Sequence, residues 1–499
     1  MTVSLSAQSR YAPYIDGGYV DPQTDAVVES INPTDGTVLY EMTDSSAADV
    51  DRAVAAARRA LQQPEWRDMA PAERGRVLRR IADRLRELDG SLALIESRDN
   101  GKLIRELRAQ HRALPGLFDY FAGWTDKFHG DIVPKPVGTM NLLVPEPVGV
   151  VAAIVPWNSP LSIAANKFAP ALAMGNTVVI KPSEHATAAI LELVASLEDV
   201  GLPPGVLNVV PGRGETTGVA LANHEGVDMI AFTGGTAAGR AIATAAAQRP
   251  IRTQLELGGK SPNIVFADAD LDRAANGIIA GIFAAAGQTC VAGSRVYLQR
   301  EIHDEVLERV VARARTIRLG DPLEDTTELG PVAFEAHLQR ILGMIDRAVD
   351  EGAQVACGGE RVTSAPLADG FFVQPTIFTG VRPDMEVVRE EVFGPVLTVL
   401  PFTDEDEVVA AANSTPYGLA AGVWTRDLNR AMRMTRRLDA GIVWVNTYRA
   451  MAPESPFGGF KSSGYGKEGG EAVLHEFTRS KSVWIDLSEG PARDPFVIG

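Results

Sequence analysis

The stretch "AAAGQTCVAGSR" sets Cys290 directly after small, flexible residues rather than inside a packed apolar run. A thiol there is a candidate nucleophile, because the thiolate is the reactive form. A lone free cysteine more often behaves as a small buried hydrophobe, so Cys290 carries no role by itself. Upstream, "LELGGK" puts Glu256 after apolar residues and before two glycines, where a carboxylate in apolar surroundings can act as a general base. A helix cap or a surface carboxylate is the ordinary alternative. "FTGGTAAG" places Gly234, Gly235 and Gly239 where backbone N–H groups and a helix dipole favour a phosphate. It is not GxGxxG, and glycines serve any tight strand-to-helix turn. "IKPSE" brings together Lys181 and Glu184, a pair able to hydrogen-bond sugar hydroxyls or simply to form a solvated turn.

These residues depend on a scaffold that the hydrophobic pattern outlines. From Ser46 to Ile95, apolar residues at three- and four-residue spacing predict helices over "AADVDRAVAAARRALQ" and "APAERGRVLRRIADRLRELDGSLALIE". From Pro147 the pattern changes to short apolar runs alternating with helical stretches. "VGVVAAIV", "NTVVIKPSE", "GVLNVVPG" and "VDMIAFTGG" read as strands. Helices are expected over "SIAANKFAPALAMG", "ATAAILELVASLEDVG" and "TAAGRAIATAAAQR". Strand then helix, repeated, implies parallel strands joined by right-handed crossovers, a doubly wound sheet whose ligands sit beyond the carboxyl ends of its strands. A second α/β series begins at "SPNIVF", carries helices at "DLDRAANGIIAGIFAAA" and "HDEVLERVVARARTIRLG", and runs to "GIVWVNTYR". "DIVPKPVGTMNLLVPEP" and "KSVWIDL" are β-like pieces outside both series, able to pair with each other or with another subunit.

The chain has 499 residues, which at about 150 residues per domain allows roughly three units. Its 45% hydrophobic and 22% charged residues are ordinary globular composition. A net charge of −16 and the lack of a long basic block argue against nucleic acid or an anionic membrane as partner and favour a small metabolite. No secretory signal and no apolar run of spanning length is evident. Two cysteines are too few for a disulfide framework and fit a reducing compartment, with cytoplasm the default.

Taken together, "PWNSP", "KPSE", "FTGG", "LELGGK", "GQTC", "EEVFGPV" and "PFGGFKSSGYGKE" stand in an order and at a spacing that resemble the NAD(P)-dependent aldehyde dehydrogenase superfamily. The resemblance runs from the early helices through "KSVW". It implies a Rossmann-like, doubly wound NAD-binding domain over 1–125 and 147–257, and a second α/β catalytic domain over 258–462. It also implies a small β oligomerisation flap from 126–146 and 478–488, hence a homodimer or homotetramer.

By the same resemblance Cys290 matches the nucleophile. Asn158 matches the side-chain donor to the oxyanion, with the Cys290 backbone N–H as second donor. Glu256 matches the base that activates water to hydrolyse the thioester, which favours hydrolysis over transfer to coenzyme A. Glu468 matches a further carboxylate of the family pattern, and Lys167 a lysine of a proton relay near the base. Lys181 and Glu184 match contacts to the adenosine ribose, and Glu391 and Phe393 residues that position the nicotinamide side. Gly234, Gly235 and Thr236 would lie at the pyrophosphate, with Trp157 nearby. A carboxylate at Glu184 should bond a free 2′-OH and repel a 2′-phosphate, so NAD is expected over NADP.

The aldehyde itself is not named by these motifs. Positions matching the family's substrate tunnel are Ser159, Ile163, Asn166, Thr289 and Val291, with Tyr448 and Arg449 at its mouth, and they describe a roomy, polar tunnel. Arg449 could hold a carboxylate bidentately, which points to a semialdehyde or another polar aldehyde. Pairing of Arg449 with Glu454 is an equal alternative. A thiol hydrolase would need a base partner, commonly histidine, and none of the seven histidines lies in the motif cluster. No HExxH-like metal spacing occurs. A non-catalytic relative on the same fold should have lost Cys290, Asn158 or Glu256, and all three are present. Cys357 matches no functional position and is expected to be structural.

Overall fold

The runs that read as strands in the first series are buried along almost their whole length: Val150–Ile154, Thr177–Lys181, Leu207–Val209 and Met229–Thr233. Both faces of such a sheet are covered by helices, so its strands are apolar throughout rather than alternating. In this computed structural model, which describes residues 8–88, 90–490 and 494–496, they lie at the centre of an eight-stranded sheet. Its order is Gly464–Tyr465, Arg252–Glu256, Met229–Thr233, Val150–Ile154, Thr177–Lys181, Leu207–Val209, Tyr14–Ile15, Gly18–Tyr19. The five central strands are parallel, and the edge strands join antiparallel.

Alternate side chains go to opposite cores. Val150, Ala152 and Ile154 pack with Val50, Ala53 and Val54 of the helix Ala47–Gln62. Val151 and Ala153 pack with Leu161, Ala164 and Phe168 of the helix Pro160–Ala173. Each fully buried aliphatic side chain contributes about 1.5–3 kcal/mol, which fixes the register of the sheet. The strand Val150–Ile154 has its chain successor Thr177–Lys181 on one side and the later Met229–Thr233 on the other. The crevice between these strands is a topological switch point, where open α/β sheets bind ligands.

The second series forms a seven-stranded sheet in the order Gln354–Cys357, Thr376–Thr379, Val396–Phe402, Arg295–Gln299, Pro262–Val265, Ala420–Trp424, Ile442–Val445. It is parallel apart from the edge strand Gln354–Cys357. The two β-like outliers pair with each other: Thr478–Asp486 runs antiparallel to Thr139–Pro147, which also pairs with Asp131–Val133. This three-stranded sheet exposes Ile132 and Trp484. No helix among the described residues is long and apolar enough to cross a membrane.

Several elements differ from the pattern-based expectation. The helix expected over 70–96 is two helices, Pro71–Glu87 and Ser91–Asn100, because Gly90 turns at φ +90° between them. The helix over "ATAAILELVASLEDVG" ends at Ala195. The helix through "GIFAAA" stops at Phe283, and Ala285 and Ala286 are left-handed, at φ +53° and +52°. Alanine favours helix, so tertiary contacts override propensity there: Ala285 N donates to Glu106 Oε1 at 3.2 Å. A separate small sheet, Arg10–Tyr11, Val38–Thr43 and Val27–Ile31, was not evident from the pattern.

Candidate active site

Four neighbouring strands of the eight-stranded sheet deliver residues at their carboxyl ends. Val150–Ile154 leads into Trp157, Asn158 and Ser159; Thr177–Lys181 ends on Lys181; Met229–Thr233 leads into Gly234; Arg252–Glu256 ends on Glu256. The turn after Glu256 then reaches the loop that carries Cys290. A side chain at Gly259 would place its Cβ 2.5 Å from the Cys290 carbonyl oxygen, and one at Gly258 would collide with the Glu391 carboxylate. Only glycine permits this approach. Glu391 Oε1 accepts the Gly259 N–H at 2.9 Å, so one carboxylate lies a single turn from the thiol loop.

Cys290 is half-buried beside Val291, Leu419, Ala420 and Trp444. Burial pushes its thiol up to about 12, with Glu391, Glu256 and Glu468 pushing the same way and its own backbone N–H opposing them. Asn158 Nδ2 donates to the Gln288 carbonyl at 2.9 Å, which ties the amide to this loop. Gln288 is itself held: its Oε1 accepts Ala333 N at 2.9 Å.

Glu256 is buried, and among the described residues neither of its carboxylate oxygens has a hydrogen-bond partner. Burial, then the negative charge of Glu468, raises its pKa well above the usual carboxylate range, while Lys167 and Lys467 pull it down. A carboxylate whose pKa is raised in this way is a stronger proton acceptor than an exposed one. Lys167 and Glu468 form a buried ion pair, Nζ to Oε1 2.7 Å.

On the other side of the switch point, Lys181 Nζ donates to Glu184 Oε2 at 3.2 Å. Burial opposes ionisation of Glu184, yet Lys181, the local backbone and His185 outweigh it and hold its pKa below the ordinary value. Gly235 caps the helix Thr236–Ala247, Thr236 is its first residue, and open space lies above Gly235. Gly234 N donates to the Glu256 carbonyl at 3.0 Å, linking this turn to the base. Trp157 packs edge-on against Phe393 and Phe334, each at 5.4 Å between ring centroids. Phe393 is left-handed at φ +58°, and its carbonyl accepts from His337 Nε2 at 2.7 Å. Burial pushes His337 down to about 4, so it is neutral at physiological pH. A buried lysine–carboxylate pair for ribose hydroxyls, helix N–H groups for a pyrophosphate and an aromatic cluster beside them are the donor set that a dinucleotide requires. Among the described residues no cluster of metal-ligating side chains occurs.

The positions expected to line the substrate path are more committed than their residue types suggest. Ser159 Oγ accepts from Lys102 Nζ at 2.7 Å, and Asn166 Nδ2 donates to the Ser162 carbonyl at 2.9 Å. Ile163 is half-buried and packs on the adjoining core, and Thr289 is half-buried next to Cys290. Val291 departs from the expectation of a tunnel wall: its side chain is fully buried among Leu419, Ala420 and Trp444 and presents no surface to a ligand. Its carbonyl accepts from Tyr448 Oη at 3.0 Å, so Tyr448 braces the Cys290 loop with its hydroxyl. Arg449 is left-handed at φ +63° and donates to the Ala280 carbonyl at 3.4 Å. Among the described residues it has no ion pair, so the alternative with Glu454 is not made. Cys357, half-buried on the edge strand, is a free thiol.

Sequence reasoning missed Lys102, Gln288, Phe334, His185 and His337. "DNGKL" reads only as a helix-ending turn, His337 has no neighbouring motif in the chain, and His185, directly after "KPSE", carries no pattern of its own.

The profile of the Aldehyde dehydrogenase family matches residues 19–483. The chain is 44% identical over 488 residues to (Z)-2-((N-methylformamido)methylene)-5-hydroxybutyrolactone dehydrogenase of Acinetobacter baylyi, covering 97% of this chain and 99% of that one. It is 42% identical over 481 residues to retinal dehydrogenase 2 of Homo sapiens, covering 95% and 92%. The NAD+ complex of an aldehyde dehydrogenase from Bacillus cereus superimposes with a TM-score of 0.93 at 40% identity, over 96% of each chain. The chain belongs to the aldehyde dehydrogenase family.

Proposed function

We propose that this protein oxidises an aldehyde to the carboxylic acid with NAD, through a covalent adduct on Cys290. The observation that carries the reading is the convergence of three groups: the Cys290 thiol, the Asn158 amide bonded to Gln288 in the same loop, and the carboxyl of Glu256, within electrostatic reach of the thiol and without a hydrogen-bond partner among the described residues. The Cys290 proton passes to solvent, the thiolate sulfur attacks the aldehyde carbon as the carbonyl π bond opens, and the oxygen becomes an oxyanion held by Asn158 Nδ2 and the Cys290 backbone N–H. When NAD is bound, its nicotinamide ring is the two-electron acceptor of the reaction. Glu256 takes a proton from the water that attacks the resulting thioester, the carbon–sulfur bond breaks, and Cys290 leaves as the thiolate while the acid departs. The Lys167–Glu468 pair lies within electrostatic reach of Glu256 and passes its proton on.

Lys181 and Glu184 would hold the adenosine ribose, Gly234, Gly235 and Thr236 the pyrophosphate, and Trp157, Glu391 and Phe393 the nicotinamide side. The carboxylate of Glu184 favours a free 2′-OH, hence NAD over NADP. Arg449, which donates to the Ala280 carbonyl and has no ion pair among the described residues, supports a polar or carboxylated aldehyde, whose path Ser159, Ile163, Asn166, Thr289 and Tyr448 would line. The exposed apolar residues of the flap over 126–146 and 478–488 support assembly into a dimer or tetramer. The NAD-binding domain would span 1–125 and 147–257 and the catalytic domain 258–462, and the two-cysteine composition fits the cytoplasm. The test is NADH formation from a panel of aliphatic, aromatic and carboxylated aldehydes, with NADP in parallel and Cys290→Ala as control. Turnover that vanishes in the variant supports the reading. Activity retained without Cys290 removes it, and equal initial rates with NADP end the cofactor preference.

A further inference from the structure

The helix Ser91–Asn100 ends at Gly101, which is left-handed at φ +74°, and the turn folds Asn100 and Lys102 back onto "PWNS". Asn100 Oδ1 accepts Lys102 N at 3.0 Å, and Asn100 Nδ2 donates to the Trp157 carbonyl at 3.0 Å. Lys102 Nζ then meets three acceptors: the Asn158 carbonyl at 3.3 Å, Ser159 Oγ at 2.7 Å and Gln110 Oε1 at 3.0 Å. An ammonium group has three N–H donors, so its hydrogen-bonding capacity is filled. Ser159 Oγ in turn donates to the Asn158 carbonyl at 2.7 Å. Two successive carbonyls, those of Trp157 and Asn158, are therefore gripped by one turn, while the Asn158 side chain is gripped from the opposite side by Gln288.

Lys102 is almost wholly buried, and a buried cation is costly unless its surroundings favour it. Burial pushes its pKa down to about 8, Glu106, Glu96 and Cys290 draw it up, and Arg449 pushes it down. The lysine stays mostly protonated at neutral pH and lies within electrostatic reach of the thiol. Glu106, on the following helix Ile104–Ala122, also accepts Ala285 N at 3.2 Å, which ties the same region to the start of the Cys290 loop.

We propose that Lys102 is a positioning residue for the oxyanion donor: by holding the Asn158 carbonyl and the Ser159 hydroxyl it sets the Asn158 amide where the substrate oxygen becomes charged. The inference rests on the role proposed above for Asn158. A displacement of about 1 Å at a reacting group can cost ~100-fold in rate, so the grip need not touch the substrate to matter.

The test is a double-variant cycle on the full-length protein with Lys102→Met, Asn158→Ala and the pair, measuring kcat/KM for the best aldehyde and affinity for NAD. Lys102→Met is expected to lower kcat/KM by ~10- to 100-fold with NAD affinity unchanged, and Asn158→Ala by ~100-fold or more. Because Lys102 acts through Asn158, the pair should lose no more than Asn158→Ala alone. Losses that multiply, or a Lys102→Met enzyme with unchanged kcat/KM, overturn the proposal. Should Lys102→Met fail to fold, Lys102→Leu, which likewise removes every N–H donor, enters the same cycle with the same criterion. A wild-type protein that oxidises no aldehyde, or an Asn158→Ala enzyme of normal activity, overturns the underlying function as well. Failure of the cycle alone overturns only the role of Lys102.

Discussion

Asn158 Nδ2 and the Gln288 carbonyl are joined by a 2.9 Å hydrogen bond, which fixes the amide against the loop that carries Cys290 two residues later. One amide proton serves this bond, which leaves the other for the oxyanion in the reaction proposed above. Asn158→Ala should therefore lower kcat by ~100- to 1,000-fold, equivalent to about 2.7–4 kcal/mol of barrier. Steady-state kinetics on the best aldehyde check this, and a loss under threefold would contradict it.

The resting thiol is held in its protonated form. Burial and then the carboxylates of Glu391, Glu256 and Glu468 push Cys290 up to about 12, so the thiolate fraction grows as pH rises and has no plateau near neutrality. Alkylation of the free enzyme by iodoacetamide, followed on the Cys290 peptide by mass spectrometry, should quicken ~10-fold per pH unit from pH 7 to pH 9. Glu391, pushed up to about 7 by burial, is mostly ionised at pH 8. Glu391→Gln removes that negative charge, lowers the thiol pKa and should speed alkylation at pH 8. An unchanged or slower rate in the variant would refute the assignment.

The Lys167–Glu468 pair is 301 positions apart in the chain and buried. Removing one partner leaves a buried charge without compensation, so Lys167→Met should destabilise the fold by about 3–5 kcal/mol. Adding Glu468→Leu should restore much of it. Urea unfolding of the three proteins reads both effects, and a double variant no more stable than Lys167→Met would show that the pair is not the cause.

For Arg449, which has no ion pair among the described residues, the expectation concerns substrate choice. Arg449→Ala should raise KM about 10-fold or more for a carboxylated aldehyde and leave a neutral one within about twofold, as a lost charged hydrogen bond requires. Equal effects on both substrates would end the case for a carboxylate.

What was legible in the chain was the set of short apolar runs and the residues that close them. Lys181 ends its strand after four buried residues, and Gly234 follows a strand whose first four residues are buried; Glu256 ends a strand in which only Gln254 and Leu255 before it are buried, and is marked instead by the two glycines that follow. The left-handed Ala285 and Ala286 were not legible, since alanine reads as helix and the override comes from Glu106, 179 positions away. Gly464–Tyr465, beyond the stretch assigned to the second domain, returns to pair with Arg252–Glu256 in the first sheet. Such pairing leaves no local periodicity to detect. Lys102 was hidden likewise: nothing in "DNGKL" announces that its side chain spans to Asn158 and Ser159.

The most direct test of the account is a single-turnover experiment with Glu256→Gln, NAD and the best aldehyde, combined with mass measurement of the intact protein. If Cys290 carries the acyl group and Glu256 activates the water that releases it, NADH should appear as a burst of about one equivalent per active site and then stall, with the acyl mass retained on Cys290. Sustained turnover at the wild-type rate, or a burst without acyl mass on Cys290, would contradict the division of labour between these two residues.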